Sequence, residues 1–569
     1  MTTTDTWHSF HLFLHSGTED TDGFLTEDVA PLLDGLVASG EAARWFFIRY
    51  GEDGPHLRIR VAGLGAAAAA ELPEALARAA KEQPAVAGSW PSHHGEVRAV
   101  AYVPETRRYG GPRALPTAER IFAVSSRVAV EALRDLRRMP AGAGRLTLAA
   151  DLAHATAYAL GMDRLAAARW LRRQAAGWRW VAEVPLLPGA AVHMRVNSVY
   201  GVQHAALDRR ARTLREGLKE DAGAPWLVEW VRRVRDADEV LRGEADAGPE
   251  VEVEVEVAWV WASQLHMLFN RLGITPDEER AVCRLAARTL LDAGEPPSFF
   301  PDGHSAPDLR YLERSKFQIG RNEDTALRPL PAPTAAAAAA AAAVESPPEV
   351  PLPADRLPDV SLHTVLANRA SLRGPLDGPL DAGSLGTLLW SALSESSRSE
   401  QRLADGSARS LVHRPYPSAG ALYTARVRLL ALDVAGLPAG TYDCVPERRT
   451  LRPVGPVPPV AEIKPLSTYF SRPAEDPDWI GVDRAPVVLG LYIDLGLLRR
   501  RYGLRALRLA LLETGHLAQT LLLTATALGL AGTPLGGFHD DLAHELFGLE
   551  DLDQPLQYLL PLGRRADRG

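Results

Sequence analysis

Hydrophobic and polar positions in this chain fall into two patterned stretches with an unpatterned run between them. In the first, Trp45 to Arg60 (WFFIRYGEDGPHLRIR) reads as two strands about a turn at Gly54-Pro55. Leu57 and Ile59 alternate with Arg58 and Arg60, so the apolar pair and the cationic pair project from opposite faces. Ser263 to Arg271 (SQLHMLFNR) reads as a helix carrying His266, and Val251 to Val257 (VEVEVEV) alternates as an amphipathic strand. In the second stretch, Leu362 to Asn368 reads as a short helix and Leu385 to Leu393 (LGTLLWSAL) as another, with apolar spacings of three and four. Ala425 to Asp433 and Val487 to Asp494 alternate like strands. Arg505 to Leu528 predicts a long helix, largely buried along Leu507, Leu511, His516, Gln519 and Leu523 and stopped by Gly529.

The run between them extends from Arg328 to Pro358. Its prolines bracket the alanine tract Ala335 to Ala343, a composition that cannot build a core and reads as a semi-rigid tether. At 569 residues the chain is too long for one core. Three parts are expected: a domain over 1–325, a Pro/Ala-rich linker over 326–358 and a second domain over 359–569. Both domains should be α+β. No repeat of 20 to 50 residues interrupts this division.

Charge and cysteine content narrow the function. Lys plus Arg is 63 and Asp plus Glu 71, a net charge of -8, so broad attraction to nucleic acid or membrane surfaces is not expected, and a peptide or neutral substrate fits better. Cys283 and Cys444 are too few and too far apart for a disulfide framework or a Cys-rich zinc site, and no metal is expected. The N-terminus MTTTDTWHSF lacks a basic region followed by an apolar core, and apolar runs break before membrane-spanning length. A soluble cytoplasmic protein is expected. No G-x-G-x-x-G follows a strand and no Walker loop occurs, which leaves a nicotinamide site or an NTPase without support.

The candidate chemistry of the second domain lies in four blocks. Asn368 to Arg373 (NRASLR) offers Arg369, Ser371 and Arg373, two forked cations and a hydroxyl of the kind that holds a phosphate monoester. Arg414 to Thr424 (RPYPSAGALYT) contains the turn Pro417, Ser418 and Gly420. Thr533 to Phe538 (TPLGGF) supplies Gly536 and Gly537, and Pro561 to Arg565 (PLGRR) supplies Arg564. In this order the blocks resemble the FMN-dependent nitroreductase superfamily, specifically its branch of azoline dehydrogenases acting on ribosomally made peptides. The resemblance implies bound FMN at those residues and a homodimer whose subunits share the flavin interface. It also exposes a departure. The branch usually presents a Lys-Tyr pair before its long flavin-side helix, to assist proton removal as hydride moves to flavin, whereas this chain has Arg501 and Tyr502. Arginine stays protonated and cannot be the base, leaving Tyr502 or water.

In the first domain, Arg58 and Arg60 side by side suggest a carboxylate clamp. Tyr102 to Gly111 (YVPETRRYGG) adds Glu105 and Arg108, three residues apart, and His266 follows on its helix. From Trp7 to about Phe317 these blocks resemble the C-terminal glutamate-elimination domain of lanthipeptide-type dehydratases. That family removes the α-proton of a glutamylated Ser or Thr and expels glutamate, leaving dehydroalanine or dehydrobutyrine. The resemblance implies that Arg58, Arg60 and Arg108 bind glutamate and developing charge, with Glu105 and His266 as acid and base in an order left open. His93 and His94 read as loop residues without chemistry.

Two alternatives stand beside elimination: a non-catalytic module that docks the precursor peptide, for instance by strand addition at a sheet edge, and a pyridine-forming cycloaddition domain. The second belongs to a relative that lacks the charged set. Together the two resemblances suggest a fused eliminase-dehydrogenase like those of lactazole-type thiopeptide pathways. The implied partners are a precursor peptide, a separate tRNA-dependent glutamylation protein and a cyclodehydratase.

Overall fold

In a computed structural model, the residues described are 6–138, 144–181, 184–246, 257–291, 306–317, 348–378, 380–402, 406, 408–550 and 552–565. The chain forms two compact units. The first takes residues up to Pro296; the second takes Pro297 onward together with 179–183 and 187–193. Both mix helices with sheet, as the pattern predicts. Most of the expected tether, residues 328–347, lies outside the described residues. So do residues 251–256 of the VEVEVEV run, while Val257 opens a helix.

The first unit is built on a four-stranded antiparallel sheet of β1 (Trp7–Phe13), β2 (Arg44–Tyr50), β3 (His56–Ala62) and β4 (Val97–Ala99), in the order β2-β3-β1-β4. The turn between β2 and β3 needs Gly54, whose φ is +123°, and a Cβ there would lie 2.7 Å from Ser92 Oγ. Leu57 and Ile59 are buried, and Arg58 and Arg60 project from the other face, as the alternation predicts. Against that face pack α1 (Gly111–Arg138) and α2 (Val257–Arg271), with Phe122 tilted onto Phe46 at 5.2 Å. The edge strand β2 is closed by side chains of these helices: Phe47 N donates to Ser126 Oγ, and Asn270 bonds both the N–H and the C=O of Arg49. A further helix, α3 (Pro276–Leu291), follows α2 after a short turn.

The second unit carries a nine-stranded sheet. Its long members are β5 (Gly374–Asp377), β8 (Ala425–Ala431), β9 (Gly440–Val445), β10 (Thr450–Gly455), β11 (Val487–Ile493) and β12 (Leu556–Arg565), and two others, β6 (Ser397–Arg402) and β7 (Ala408–His413), form a separate hairpin. The spine β12-β11-β8-β9-β10 is antiparallel, with Leu429 opposite Leu489 and Leu489 opposite Leu560. β8 and β11 are buried along almost their whole length because α7 (Ala506–Ala527) and α8 (Asp540–Phe547) pack against the sheet, while α4 (Leu362–Asn368), α5 (Ala382–Leu393) and α6 (Leu495–Tyr502) pack against α7.

Helix α7 turns a different face inward from the one its leucines suggest. It buries Ala510, Glu513, Thr514, Leu517, Ala518 and Leu521, while Leu511, His516 and Gln519 are exposed and Leu507 and Leu523 half-buried. The helix is apolar on several sides, so periodicity does not single out one stripe; small Ala and Thr side chains instead allow it a close approach to its neighbours.

Candidate active sites

On the face of β3 that looks toward α1 and α2, Arg58 and Arg60 diverge rather than form one fork. Arg58 Nε donates to His56 Nε2 (3.1 Å), its Nη2 pairs with Glu52 (3.1 Å), and its guanidinium lies 3.5 Å from the centre of the Tyr50 ring. His56 Nδ1 stands 2.9 Å from Gly54 O, so His56 donates there and accepts from Arg58 as the neutral tautomer. Burial, then the Arg58 charge, favour that neutral form. Glu52 is mostly exposed, so its pair with Arg58 is weak and open to exchange with a substrate anion. Arg60 leans instead over Tyr102, 4.7 Å from the ring centre, and among the described residues no hydrogen-bond partner meets its buried Nε.

Arg108 ties the loop after β4 to α2. Its Nη1 pairs with Glu105 (3.1 Å) and its Nε donates to Ser263 Oγ (3.3 Å). Ser263 is three residues before His266, and residues at that spacing share a helix face. His266 Nδ1 lies 2.8 Å from Glu279 Oε2 on α3, and Gln174 Nε2 donates to the other oxygen at 2.6 Å. Glu279 is 1% exposed. A carboxylate only accepts, so His266 donates from Nδ1 and keeps its Nε2 lone pair for chemistry. Among the described residues no hydrogen bond or ion pair joins His266 to Arg58 or Arg60. Glu279, Ser263 and Tyr109 escaped the sequence reading. Glu279 lies 13 residues beyond His266 on another helix, where spacing gives no signal. His93 and His94 lie in the turn before β4, where His94 Nδ1 accepts from His15 N and its Nε2 lies 2.9 Å from Ala80 O, a structural role.

In the second unit, Pro417, Ser418, Gly420, Arg501 and Tyr502 line one cleft of about 680 Å³, roofed by Leu411 and His413 of the β6-β7 hairpin. Gly420 has φ +61°, and a Cβ on it would come 2.6 Å from the Tyr502 hydroxyl. Glycine therefore permits the close approach of the turn to the end of α6. The turn is anchored from below. Ser418 Oγ accepts from Tyr423 N (2.8 Å) and donates to Glu513 Oε2 (2.6 Å), while Glu513 Oε1 accepts from Ala425 N (2.7 Å). Glu513 is buried on α7 and was not legible as a site residue, because an acid in a leucine-rich helix gains meaning only from the turn above it. Among the described residues, Arg501 Nε and two nitrogens of Arg414 are buried without a hydrogen-bond partner, while Arg414 Nη2 pairs with Glu447 at 2.7 Å.

The remaining cofactor candidates form a separate group. Ser371 bridges Gly532, Thr533 Oγ1 donates to Leu372 O, and Arg564 pairs in register with Asp377 of β5, so the three blocks meet at one end of the sheet. Arg369, Ser371, Gly536, Gly537 and Arg564 are open or partly open to solvent. Arg373 is half-buried over Tyr469 and approaches Asp478 at 3.6 Å, yet its Nη1 is buried without a hydrogen-bond partner among the described residues. A cationic nitrogen so placed, beside a free hydroxyl and paired glycines, fits a phosphate group. The cleft lining includes none of this second group.

Two family models match the chain. Lantibiotic biosynthesis dehydratase C-term covers residues 7–290, and the nitroreductase family covers 366–564. Among curated proteins, MJ1384 of Methanocaldococcus jannaschii, described as a nitroreductase, is 29% identical over 220 residues, 37% of this chain and 96% of that protein. The microcin B17-processing protein McbC of Escherichia coli is 32% identical over 143 residues, 24% of this chain and half of McbC. Among solved structures, the pyridine synthase TbtD from thiomuracin biosynthesis is 23% identical, with 50% of this chain and 98% of TbtD covered at a TM-score of 0.42. The tRNA-dependent lantibiotic dehydratase MibB from Microbispora sp. 107891 is 23% identical, with 50% of this chain and 28% of MibB covered at 0.38. The chain therefore joins a domain of the lantibiotic-dehydratase C-terminal family to a domain of the nitroreductase family.

Proposed function

We propose that this chain matures a ribosomally made peptide by two reactions: elimination of glutamate from glutamylated Ser or Thr in the first domain, and FMN-dependent oxidation of thiazolines or oxazolines to azoles in the second. The observation that carries the first reaction is the His266–Glu279 pair, one helical turn from the Arg108–Ser263 contact. Glu279 holds the imidazole with Nε2 outward and stabilises the imidazolium that forms when that nitrogen takes the α-proton. The electron pair of the broken Cα–H bond forms the Cα=Cβ bond, and the Cβ–O bond breaks to release glutamate. Arg58, Arg60 and Arg108 offset the negative charge on the enolate and on the departing carboxylate. Glu105 is largely exposed and committed to Arg108, so it positions that arginine and His266 is the base.

For the second reaction, bound FMN would supply the hydride acceptor. Arg369, Ser371, Arg373, Gly536, Gly537 and Arg564 would hold its phosphate end, and Pro417, Ser418 and Gly420 would lie against its ring. Arg501 orients the peptide and offsets negative charge, and the Tyr502 hydroxyl, packed against the Gly420 turn, relays the proton. The separation of the two residue groups supports a site shared by two copies of the chain. Exposed Leu362 and Leu366 on α4 and Leu511 and Leu512 on α7 supply an apolar face for such a homodimer. A tether linking the sites would raise the effective concentration of one peptide at both. The expected environment is the cytoplasm, with a precursor peptide, a glutamylating protein and a cyclodehydratase as partners; among the described residues no helix is long and apolar enough to cross a membrane.

Incubating the protein with a glutamylated peptide and following its mass tests the elimination. Release of glutamate by the parent but not by His266→Ala supports it, and equal release by both refutes the assigned base.

A further inference from the structure

Beneath Arg60 lies a second buried cation, one that none of the roles above uses. Arg271, the last residue of α2, is 0% exposed. Its Nε donates to Ser126 Oγ at 3.0 Å, but Nη1 and Nη2 are both buried with no hydrogen-bond partner among the described residues. Its guanidinium lies 5.9 Å from the centre of the Phe46 ring, and Arg60 lies 5.4 Å from the same ring. Among the described residues no carboxylate forms an ion pair with either arginine. The acids nearby are committed elsewhere: Glu119 accepts from Trp7 and Tyr102, Glu105 pairs with Arg108, and Glu52 pairs with Arg58. Burial pushes the ionisation of Arg271 down to about 9, and the Arg60 charge adds to that push, so it remains a cation at neutral pH.

Two guanidiniums sharing one aromatic ring, with three buried N–H-bearing nitrogens unmet, form an unstable arrangement unless an anion completes it. We infer that Arg60 and Arg271 form the inner end of a carboxylate-binding site between Phe46, Tyr102 and Tyr109. Resting on the elimination reading, its ligand is the free side-chain carboxylate of the glutamyl group, because a glutamate transferred from tRNA is esterified through its main-chain carboxyl. Arg60 meets the carboxylate from the open side, and Arg271 supplies the second charge from behind. Arg58 and Arg108 remain for the ester end. The site would thereby select a glutamyl ester over a glutaminyl or acetyl ester, which Arg58 and Arg108 alone would not do.

The experiment uses the full chain and follows the unfolding transition of its N-terminal unit, with L-glutamate or L-glutamine as probe. The parent transition should rise with glutamate and not with glutamine. Arg271→Met should melt no lower than the parent without ligand, since it removes an uncompensated buried charge, and should show no rise with glutamate. Arg271→Lys, which keeps the charge but loses the fork, should fold and bind glutamate at least tenfold more weakly. A parent indifferent to glutamate, a methionine or lysine variant that keeps the parental response, or a methionine variant that folds but melts well below the parent would each overturn the site. Should Arg271→Met fail to fold, the lysine variant decides. Elimination is scored separately on glutamylated peptide. A glutamate response without elimination leaves the site standing and removes the reaction, whereas parental elimination and parental response in Arg271→Lys do the reverse.

Discussion

Replacing Glu513 with alanine should loosen the turn that carries Ser418 and Gly420, and the cost can be worked from its contacts. The carboxylate is 2% exposed and accepts from Ser418 Oγ at 2.6 Å, from Ala425 N at 2.7 Å and, more distantly, from Thr424 Oγ1 at 3.4 Å. Without it, the Ala425 N–H and the Thr424 hydroxyl, both buried, lose their acceptor, and each such orphan costs about 1–3 kcal/mol. Removing a buried charge recovers part of this, so a net loss of about 2–3 kcal/mol is expected for Glu513→Ala. Glu513→Gln retains an oxygen for Ala425 N and an amide that Ser418 Oγ can accept from, and should cost only about 1 kcal/mol. Denaturant unfolding of the second unit, with bound flavin measured in parallel, checks both values. The alanine variant should lose flavin before it loses the sheet. An alanine variant within about 0.5 kcal/mol of the parent with full flavin, or a glutamine variant as damaged as alanine, would refute the anchoring role.

Four further outcomes are expected. Glu279→Gln should slow elimination by about a hundredfold or more, because an amide can no longer stabilise the imidazolium, while azole formation continues; mass spectrometry separates the two. Tyr502→Phe should lose most azoline oxidation and retain FMN, whereas Arg501→Lys should keep substantial activity, as turnover and absorbance would show. The purified protein should be yellow and release FMN rather than FAD on heating, read by chromatography. The half-buried His154 is pushed down to about 4 from 6.5, by burial and then by Arg215. The unfolded chain takes that proton first, so stability should fall as pH drops from about 6.5 to 4, and His154→Leu should flatten that fall, by up to about 3 kcal/mol.

The local pattern carried far into the fold. The helix at Leu362–Asn368 stands where the sequence puts it, and the strands around the turn at Gly54 follow the alternation, because Leu57 and Ile59 find a buried side. Sequence order could not reveal which face of α7 turns inward, since leucines occur all round it. Nor could it reveal Glu279, Glu513 or Arg271. Each is a charged residue on a helix whose significance comes from a group on another element: His266 for the first, the Ser418 turn for the second, Arg60 for the third. Arg58 and Arg60 were legible as a pair, but their divergence toward Tyr50 and Tyr102 depends on rings that only the folded sheet brings near.

The central claim, that one chain carries out both reactions, is tested most directly with a single peptide bearing a glutamylated serine and a thiazoline. Incubated with the full chain and FMN and then analysed by mass spectrometry, it should lose glutamate at the serine and two hydrogens at the ring. His266→Ala should block only the first change and Tyr502→Phe only the second. A peptide that leaves with either group untouched by the parent protein, under conditions where the flavin is bound, would contradict the account.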